Sequence, residues 1–567
     1  MALREALVML RDLDEMESDG GEELDAEIDS DDEWGNSSLH SDSDCDSDYE
    51  PVLPRRKRAR TMPTVLASLT EIEREETGKD GTVWIKEPAD NAPSRLSAQN
   101  GIQVESGPTP YAKDRIDRAF DSFHCLCDME MLQQIRDCTV AEAHRAKGDK
   151  TWDISVDELE AFIALLYVRG LYGGKNTPLE SLWSDRYGIT FFRDTMPRNR
   201  LREIMRYLRF DARETRRMRL ETDKFALVSE VWNAFVHNCV TSYKPGVNIT
   251  VEEQWFPTKT KCRFTQYIPY KQDKWGMKFR LAADVDSKYV LNVFPYLGKD
   301  ESQQPENVVM RLVEPYLGKG RNVNTDEVFT SLPLANKLID KNTSLVGVVN
   351  KMRRELPPSA CDQSQAELFS TTVLKHDKAT LTVYRKKPRK NICILSTMHP
   401  TVAIGGDTRR KPDTMMHYNS KNVGVDKMAR QFTVKGGTRR WPVAVFYNLL
   451  DLAAINAHVL FTQCTGKTTP RRDFIMDLAW ELRENHMRAK TKAAAAAKEA
   501  AKEAAKAAPP PSRAPIQLPA GKRTQCQVKT QCARNQAHES CAQCHRFVCG
   551  SCTHKGPKLC ADCGSEQ

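Results

Sequence analysis

Eight of the seventeen cysteines lie in the last 42 residues of the chain. Two cysteines six residues apart precede three Cys-x-x-Cys pairs. Thiolates two residues apart can share one tetrahedral metal, and a short segment with few apolar residues needs such a cross-link to fold. The spacing predicts two structural Zn ions in an interleaved arrangement, one bound by Cys526, Cys532, Cys549 and Cys552 and the other by Cys541, Cys544, Cys560 and Cys563.

The long spacing between Cys526 and Cys532 leaves an alternative open, in which His538, His545 or His554 replaces one thiolate. Free, unrelated cysteines are the simpler alternative for the whole cluster. Cross-braced zinc modules of this kind bind DNA, read histone tails or recruit ubiquitin-conjugating enzymes, and we rank these roles in that order. All three are binding roles.

Three acidic residues from distant segments are candidates for a second kind of site. Glu252 ends a run of alternating apolar residues, Asp326 follows another apolar run, and Asp426 begins a helical stretch. Acids at strand ends are common on protein surfaces. Taken alone, these positions therefore do not distinguish a catalytic site from surface carboxylates.

The chain has a formal net charge of +7, but residues 12–50 carry eighteen Asp and Glu and no Lys or Arg, so the rest carries +25. Such an excess favours double-stranded DNA or another polyanion as partner, because Lys and Arg release counterions from phosphates. A basic, merely solvated surface is the alternative. The candidate DNA-binding residues are Lys351, Arg353, Arg354, Arg385, Lys386, Lys387, Arg389, Lys390, Arg439 and Arg440.

A compact basic cluster follows the acidic run and is typical of a nuclear localisation signal or a nucleic-acid patch. It comprises Arg55, Arg56, Lys57, Arg58 and Arg60 and predicts that the protein is nuclear. The first ten residues do not form the apolar core of a signal peptide. The apolar stretch from Val443 to Phe461 contains Asn448, Asp451 and Asn456, so we expect a buried core helix and no membrane partner.

At 567 residues the chain is long enough for three or four folding units. Apolar periodicity predicts helices from about residue 111, about five strands from residue 247 with the first three antiparallel, and helices again after residue 425. The predicted domains are an acidic tail with the basic cluster (1–110), a helical domain (111–246, with 437–490), a core (247–353 and 416–436), an inserted β subdomain (354–415), a helical and Pro-rich linker (491–520) and the cysteine-rich module (521–567).

Several motifs in this order resemble the piggyBac family of DNA transposases. The resemblance covers about residues 111 to 487, with the cysteine module also in its family place. It rests on the segments Ile249-Thr-Val-Glu-Glu-Gln, Arg263-Phe-Thr-Gln-Tyr-Ile-Pro, Lys274-Trp-Gly-Met-Lys, Phe294-Pro-Tyr-Leu-Gly-Lys, Thr325-Asp-Glu-Val-Phe-Thr-Ser-Leu, Leu345-Val-Gly-Val-Val-Asn-Lys, Gly424-Val-Asp and Arg440-Trp-Pro.

The resemblance implies an α/β fold: an RNase H-like catalytic core, a mixed sheet flanked by helices, with an inserted β subdomain. A helical DNA-binding and dimerisation domain and a small C-terminal zinc-binding module complete it, and the protein is expected to be a homodimer. Active relatives cut and rejoin DNA at TTAA sites with three aspartates that hold two Mg ions about 4 Å apart. The matching residues here are Glu252, Asp326 and Asp426.

Glu252 departs from the family pattern, because it is one methylene longer than Asp. The extra methylene moves the carboxylate by on the order of 1 Å, which can cost about a hundredfold in rate. Glu253 should face away from the metals, since adjacent strand residues point to opposite faces. Glu327 and Ala429 stand where family members usually have Asn and Asp, and Ala429 is expected to share a helix face with Asp426.

These departures indicate a transposase-derived DNA-binding protein, domesticated or decayed, with impaired or lost cut-and-paste activity. The alternative is a still active Mg-dependent transposase in which Glu252, Asp326 and Asp426 bind two metals despite the longer side chain. A third possibility is a zinc-dependent chromatin or ubiquitin-pathway adaptor, in which the cysteine module binds a protein ligand.

Overall fold

The computed structural model describes residues 75–88, 105–174, 177–298, 304–361, 367–387, 390–406, 408–421, 424–507, 517–530, 532–553 and 559–564. The predicted acidic run and nuclear localisation cluster lie outside these residues, as does Arg389. The chain divides into two compact units, Met1–Met487 and Arg488–Gln567.

Seventeen strands lie in the described residues. In the first unit they are β1 Glu75–Thr77, β2 Val83–Glu87, β3 Gly107–Pro108, β4 Tyr243–Lys244, β5 Asn248–Pro257, β6 Gln266–Tyr267, β7 Trp275–Asp284, β8 Val290–Pro295, β9 Asn322–Thr325, β10 Ser344–Val348, β11 Thr371–His376, β12 Ala379–Lys387 and β13 Lys390–Ser396. In the second unit they are β14 Thr524–Gln525, β15 Gln536–Ala537, β16 Glu539–Ser540 and β17 Phe547–Val548.

The helices of the first unit are α1 Pro110–Lys113, α2 Ala119–His124, α3 Met129–Lys147, α4 Val156–Leu171, α5 Leu179–Leu182, α6 Thr190–Thr195, α7 Arg198–Tyr207, α8 Arg213–Thr222, α9 Ser229–Ser242, α10 Pro305–Val313, α11 Leu332–Ile339, α12 Pro358–Cys361, α13 Asp413–Ser420, α14 Val425–Gln431 and α15 Trp441–Thr465. Helix α16 runs from Arg471 to Ala507, and α17 spans Ala561–Gly564. Two single 3₁₀ turns, Glu314–Tyr316 and Gly550–Cys552, complete the elements.

Eleven strands form one mixed sheet in the order β1-β2-β11-β12-β13-β10-β9-β5-β7-β6, with β8 also paired to β7. Strand β7 is antiparallel to both β5 and β8, whereas β9 is parallel to both β5 and β10. Three antiparallel strands followed by two parallel ones form the mixed core sheet that was predicted, and helices flank it. This confirms the predicted fold class.

The inserted strands extend this sheet rather than forming one of their own. Strand β13 pairs antiparallel to β10, with Gly347 opposite Leu395, and β12 and β11 follow. The insertion therefore continues the hydrogen bonding of a core strand whose outer edge would otherwise be unpaired.

Residues 75–88 differ from the predicted tail, because they form the β1–β2 hairpin at the far edge of the sheet. Strand β2 pairs with β11. Trp84 is fully buried, and its indole Nε1 donates to the carbonyl of Glu355 at 2.8 Å. One buried aromatic residue in a short alternating segment thus anchors it to the fold.

Helix α15 is the apolar stretch for which sequence analysis weighed a membrane span. It is long and apolar enough to cross a membrane, yet 94% of its most apolar window is buried within the protein. Two of its buried asparagines have hydrogen-bond partners there: Asn448 pairs with Gln254 of β5, and Asn456 accepts from the backbone N–H of Val290 at 2.7 Å. The helix is therefore a buried core helix of the first unit, as predicted.

Candidate functional site

Glu252 and Asp326 lie side by side at the edge of the sheet that is formed by the carboxyl ends of the inner strands β9 and β10. Val251 of β5 is opposite Thr325 of the parallel strand β9, so the next residue of each strand brings the two acids to neighbouring positions. Strand β9 ends at Thr325, whereas β5 continues to Pro257 paired with β7. The parallel pairing of β5 and β9 thus brings together segments 74 residues apart in the sequence. Both acids are half-buried.

Backbone N–H groups fix the carboxylate of Asp326. Its Oδ1 accepts from Val328 N at 3.0 Å and Phe329 N at 3.4 Å. Burial raises the pKa of Asp326 to about 6, although these two N–H groups act in the opposite direction. The Thr250 hydroxyl, on the same strand face, lies 3.5 Å from Glu252 Oε1.

Tyr418 of helix α13 is a site residue that sequence analysis did not identify. Burial raises the pKa of Tyr418, and the carboxylates of Asp326, Glu252 and Glu327 raise it further. Its ring packs against the apolar cluster that includes Val346 of β10. Nothing in the local sequence signals this position, because α13 reaches the acids only through the folding of the insertion onto the core.

Asp426 forms an ion pair with Arg430, one turn further along helix α14. Arg430 Nε lies 3.0 Å from Asp426 Oδ1, and Arg430 Nη2 donates to the carbonyl of Trp255 on β5 at 3.0 Å. Gly424, at the start of the helix, has a φ of 65°, which favours glycine. Arg430 thus ties the carboxylate to the strand that carries Glu252.

The three acids are not assembled as a tight metal site. Among the described residues, the groups of three or more cysteine, histidine or acidic side chains whose ligand atoms all lie within 4.8 Å of one another consist of cysteines. Glu252 and Asp326 have the oxygen donors that Mg prefers. Arg430 occupies one carboxylate oxygen of Asp426, Oδ1, and would compete with a metal ion for that carboxylate.

Two further sequence predictions concern residues adjacent to these acids. Glu253 is on the opposite strand face from Glu252, and it forms ion pairs with Lys278 and Arg280 of β7. At the second position, Asp426 is half-buried and Ala429, one turn later, faces inward. Ala429 is buried and lines a small cavity with Asp451 and Arg471, so an acid at that position would face the protein core.

Asp451 of helix α15 accepts hydrogen bonds from the loop that follows α14. Its carboxylate accepts from the hydroxyl of Thr433 at 2.5 Å and from Val434 N at 2.8 Å. Arg471 adds a hydrogen bond to the carbonyl of Met428 at 2.9 Å. Burial raises the pKa of Asp451 to about 8, although its two donors and Arg471 oppose this shift.

The raised pKa of Asp451 gives stability a testable pH dependence. Folded protein keeps the proton that unfolded protein releases above about pH 4, so this group makes folding less favourable as pH rises from about 4 to 8, by up to about 1.4 kcal/mol per pH unit. The difference in free energy of unfolding between Asp451→Asn and wild type should therefore shift in favour of Asp451→Asn as pH rises. Denaturant titrations of the full chain at several pH values measure this difference. The exposed control Asp473→Asn should show no such shift; an Asp451→Asn difference independent of pH would contradict the assignment.

The basic residues of the core and the insertion gather at the edge of the sheet that carries the acids. Lys351 to Arg354 follow β10, which is parallel to β9, and Lys387 of β12 and Lys390 of β13 lie at the same end because β13 is antiparallel to β10. Exposed side chains at this edge are Lys351, Arg354, Lys386, Lys387 and Lys390; Arg353 and Arg385 are half-buried.

Arg439 is exposed, but Arg440 has a structural role. The guanidinium of Arg440 donates to the carbonyls of Met205, Arg206 and Leu208 at the end of helix α7, the Leu208 contact measuring 3.0 Å. Carbonyls at a helix C-terminus lack intrahelical donors, and a guanidinium can supply them. The structure thus uses Arg440 to join α7 to the start of α15.

The eight C-terminal cysteines form two sets of four. The first cysteine set is Cys526, Cys532, Cys549 and Cys552, and the second cysteine set is Cys541, Cys544, Cys560 and Cys563. These are the interleaved sets that the spacing suggested. Each set has four thiols without His538 or His545, and His554 lies outside the described residues.

Sulfur distances in both sets suit a tetrahedral metal. Cys532 and Cys549 Sγ are 3.3 Å apart, and Cys544 and Cys560 Sγ are 3.6 Å apart. Four sulfurs at Zn–S bond length would be about 3.8 Å apart. Backbone N–H groups also donate to sulfur, from Cys549 to Cys526 and from Cys560 to Cys541 at 3.2 Å. Both sets can hold a metal ion.

Comparison with known proteins identifies the class to which this fold and site belong. The family model described as Transposase IS4 matches residues 118–458, more than half of the chain, so the chain belongs to this family. It is also similar to the cryo-EM structure of a piggyBac transposase synaptic complex with hairpin DNA, with 26% identity and a TM-score of 0.66 over 81% of this chain and 100% of that one. The protein is piggyBac family transposase-like.

Proposed function

We propose that this protein is a nuclear DNA-binding protein derived from a piggyBac transposase, with impaired or lost cut-and-paste activity. The observation that carries the proposal is Glu252, which stands beside Asp326 where the family pattern has Asp. The longer side chain would move the carboxylate of residue 252 away from the position that Asp gives it in the family metal site, where geometry is strict. The ion pair between Asp426 and Arg430 supports the same conclusion.

The DNA-binding part of the proposal is supported by charge and position. Exposed Lys and Arg side chains occupy the edge of the sheet where Glu252 and Asp326 lie. The similar piggyBac structure contains hairpin DNA. The basic cluster from Arg55 to Arg60 motivates the nuclear localisation, and a fusion protein that stays nuclear after its arginines and lysine are changed to Ala would contradict that assignment.

Removing basic residues from this edge should lower the salt dependence of DNA affinity. Each phosphate contact contributes about −0.9 to the slope of log affinity against log salt concentration, so Lys351→Ala with Arg354→Ala should reduce its magnitude by about 2. Lys341→Ala is a single-charge control, because Lys341 is exposed and precedes the amino end of β10, away from the acids. Fluorescence anisotropy with duplex DNA at several salt concentrations measures the slope for wild type and for each variant. Equal slopes for all of them would show that this edge does not contact DNA.

We assign Zn to the two cysteine sets, because four-thiolate tetrahedral sites suit Zn and structural Zn sites stabilise small modules. In the core, Glu252, Asp326 and Asp426 would hold Mg. Mg held by these carboxylates would supply activation of an attacking hydroxyl and stabilisation of a leaving oxygen. The chain's own contribution is to hold Asp326 through two backbone N–H groups and to exclude Glu253 by directing it to the other strand face.

A still active Mg-dependent transposase acting at TTAA is the second candidate. The adjacent positions of Glu252 and Asp326 at one sheet edge favour it, since two of the three acids already lie together. Incubation with Mg or Mn and a labelled DNA end separates the candidates. Cleavage that Asp326→Ala abolishes would establish the enzyme, and DNA binding without cleavage would support the derived DNA-binding protein.

A further inference from the structure

A guanidinium lies against the sulfurs of the second cysteine set. Arg546 Nε donates to Cys544 Sγ at 3.4 Å, and Arg546 Nη2 lies 3.8 Å from Cys560 Sγ. The same Nη2 donates to Asp562 Oδ2 at 2.8 Å. One arginine thus contacts two of the four ligand sulfurs and an acid that holds it in place.

The local backbone places Arg546 at this position. Cys541 N donates to the carbonyl of Arg546 at 2.9 Å, and His545 N donates to the carbonyl of Cys541 at 2.9 Å. His545 adopts a φ of 58°, which closes the turn between Cys544 and Arg546. The turn that brings Cys541 and Cys544 together therefore also directs the arginine across their sulfurs.

The positive charge of Arg546 suits a metal site made of four thiolates. A Zn ion with four thiolates carries a net charge of −2, and a hydrogen-bonded guanidinium offsets part of it. Residues that hydrogen-bond to metal ligands typically change metal affinity by 10- to 100-fold. In the first cysteine set, Asn535 makes the corresponding side-chain contact, with Nδ2 3.6 Å from Cys549 Sγ.

We propose that Arg546 is a positioning residue of the metal site formed by the second cysteine set, where it stabilises the bound metal by neutralising thiolate charge. This inference rests on the proposed assignment of metal to the cysteine sets. In this role Arg546 acts through Nε and Nη2, which contact two sulfurs and Asp562.

The test measures metal retention at each set in the full-length protein. Increasing chelator in the presence of N-ethylmaleimide labels each cysteine as its metal leaves, and mass spectrometry reads the chelator midpoint for each set. For Arg546→Gln, the midpoint of the second set should fall by about tenfold while that of the first set is unchanged. Arg546→Lys, which keeps the charge, should recover part of the loss, and Arg534→Gln, an exposed arginine of the same module, should have no effect.

The result separates this inference from the metal assignment. Two metal ions per wild-type chain with equal midpoints in wild type and Arg546→Gln would overturn the role of Arg546 alone. Wild-type protein without metal would overturn the metal assignment itself. A reduced salt slope of DNA affinity in Arg546→Gln with unchanged metal retention would show a phosphate contact instead, and would also overturn the inference.

Discussion

Glu252→Asp should increase the rate of Mg-dependent DNA cleavage by about a hundredfold. Shortening the side chain by one methylene moves the carboxylate by on the order of 1 Å toward β5, and reacting groups displaced by that distance lose about this factor in rate. The neighbour Asp326 is already fixed by two backbone N–H groups, so it does not need to move. Cleavage of a labelled duplex end, followed on denaturing gels, measures the rate.

Glu253→Asp is the matched control for this change. It shortens the adjacent residue by the same methylene, but Glu253 lies on the other strand face and pairs with Lys278 and Arg280. Its cleavage rate should equal that of wild type. If Glu252→Asp cleaves no faster than Glu253→Asp, the length of residue 252 does not limit the chemistry, and the Asp426–Arg430 ion pair becomes the stronger explanation.

Removal of one ligand of the second cysteine set should unfold the C-terminal module. Structural Zn contributes about 10 to 16 kcal/mol to the folding of small zinc domains, far more than the few buried apolar residues here can supply. In the described part of this module, its buried cluster consists mainly of the metal-binding cysteines together with Val548. Cys541→Ser should therefore lose metal and expose residues 517–564 to protease.

Cys361→Ser provides the control, because Cys361 is exposed and lies in the first unit. Elemental analysis should give two Zn per chain for wild type and Cys361→Ser, and fewer for Cys541→Ser. Limited proteolysis should leave the first unit intact in all three. A protease-resistant module in Cys541→Ser without metal would contradict the structural role assigned to Zn.

The sequence predicted the strands and helices more completely than the pairing between strands. Alternation around Ile249 and Leu345 was enough to place the core strands, because each strand buries a periodic apolar face. The pairing of β13 with β10 was not visible, since hydrogen bonding between strands distant in sequence leaves no periodic pattern. The β1–β2 hairpin was missed for a related reason: one buried residue, Trp84, anchors a segment of otherwise polar composition.

The candidate sites show the same division. The cysteine sets could be predicted because ligand spacing follows from metal geometry. Glu252 and Asp326 could be assigned through the family motif, and their adjacency follows from the parallel register of β5 and β9. The contacts of Tyr418, Asp451 and Arg546 depend on how distant elements or tight turns pack, and single residue types carry no signal for that.

The most direct test of the central claim compares binding and cleavage of one labelled DNA end, flanked by TTAA, by the unmodified protein. Anisotropy gives its affinity, and incubation with Mg or Mn gives its cleavage rate beside Asp326→Ala. We expect salt-dependent binding by both proteins, with slow wild-type cleavage, about a hundredfold below that of Glu252→Asp. Rapid wild-type cleavage that Asp326→Ala abolishes would contradict the account and show that Glu252 supports transposase chemistry.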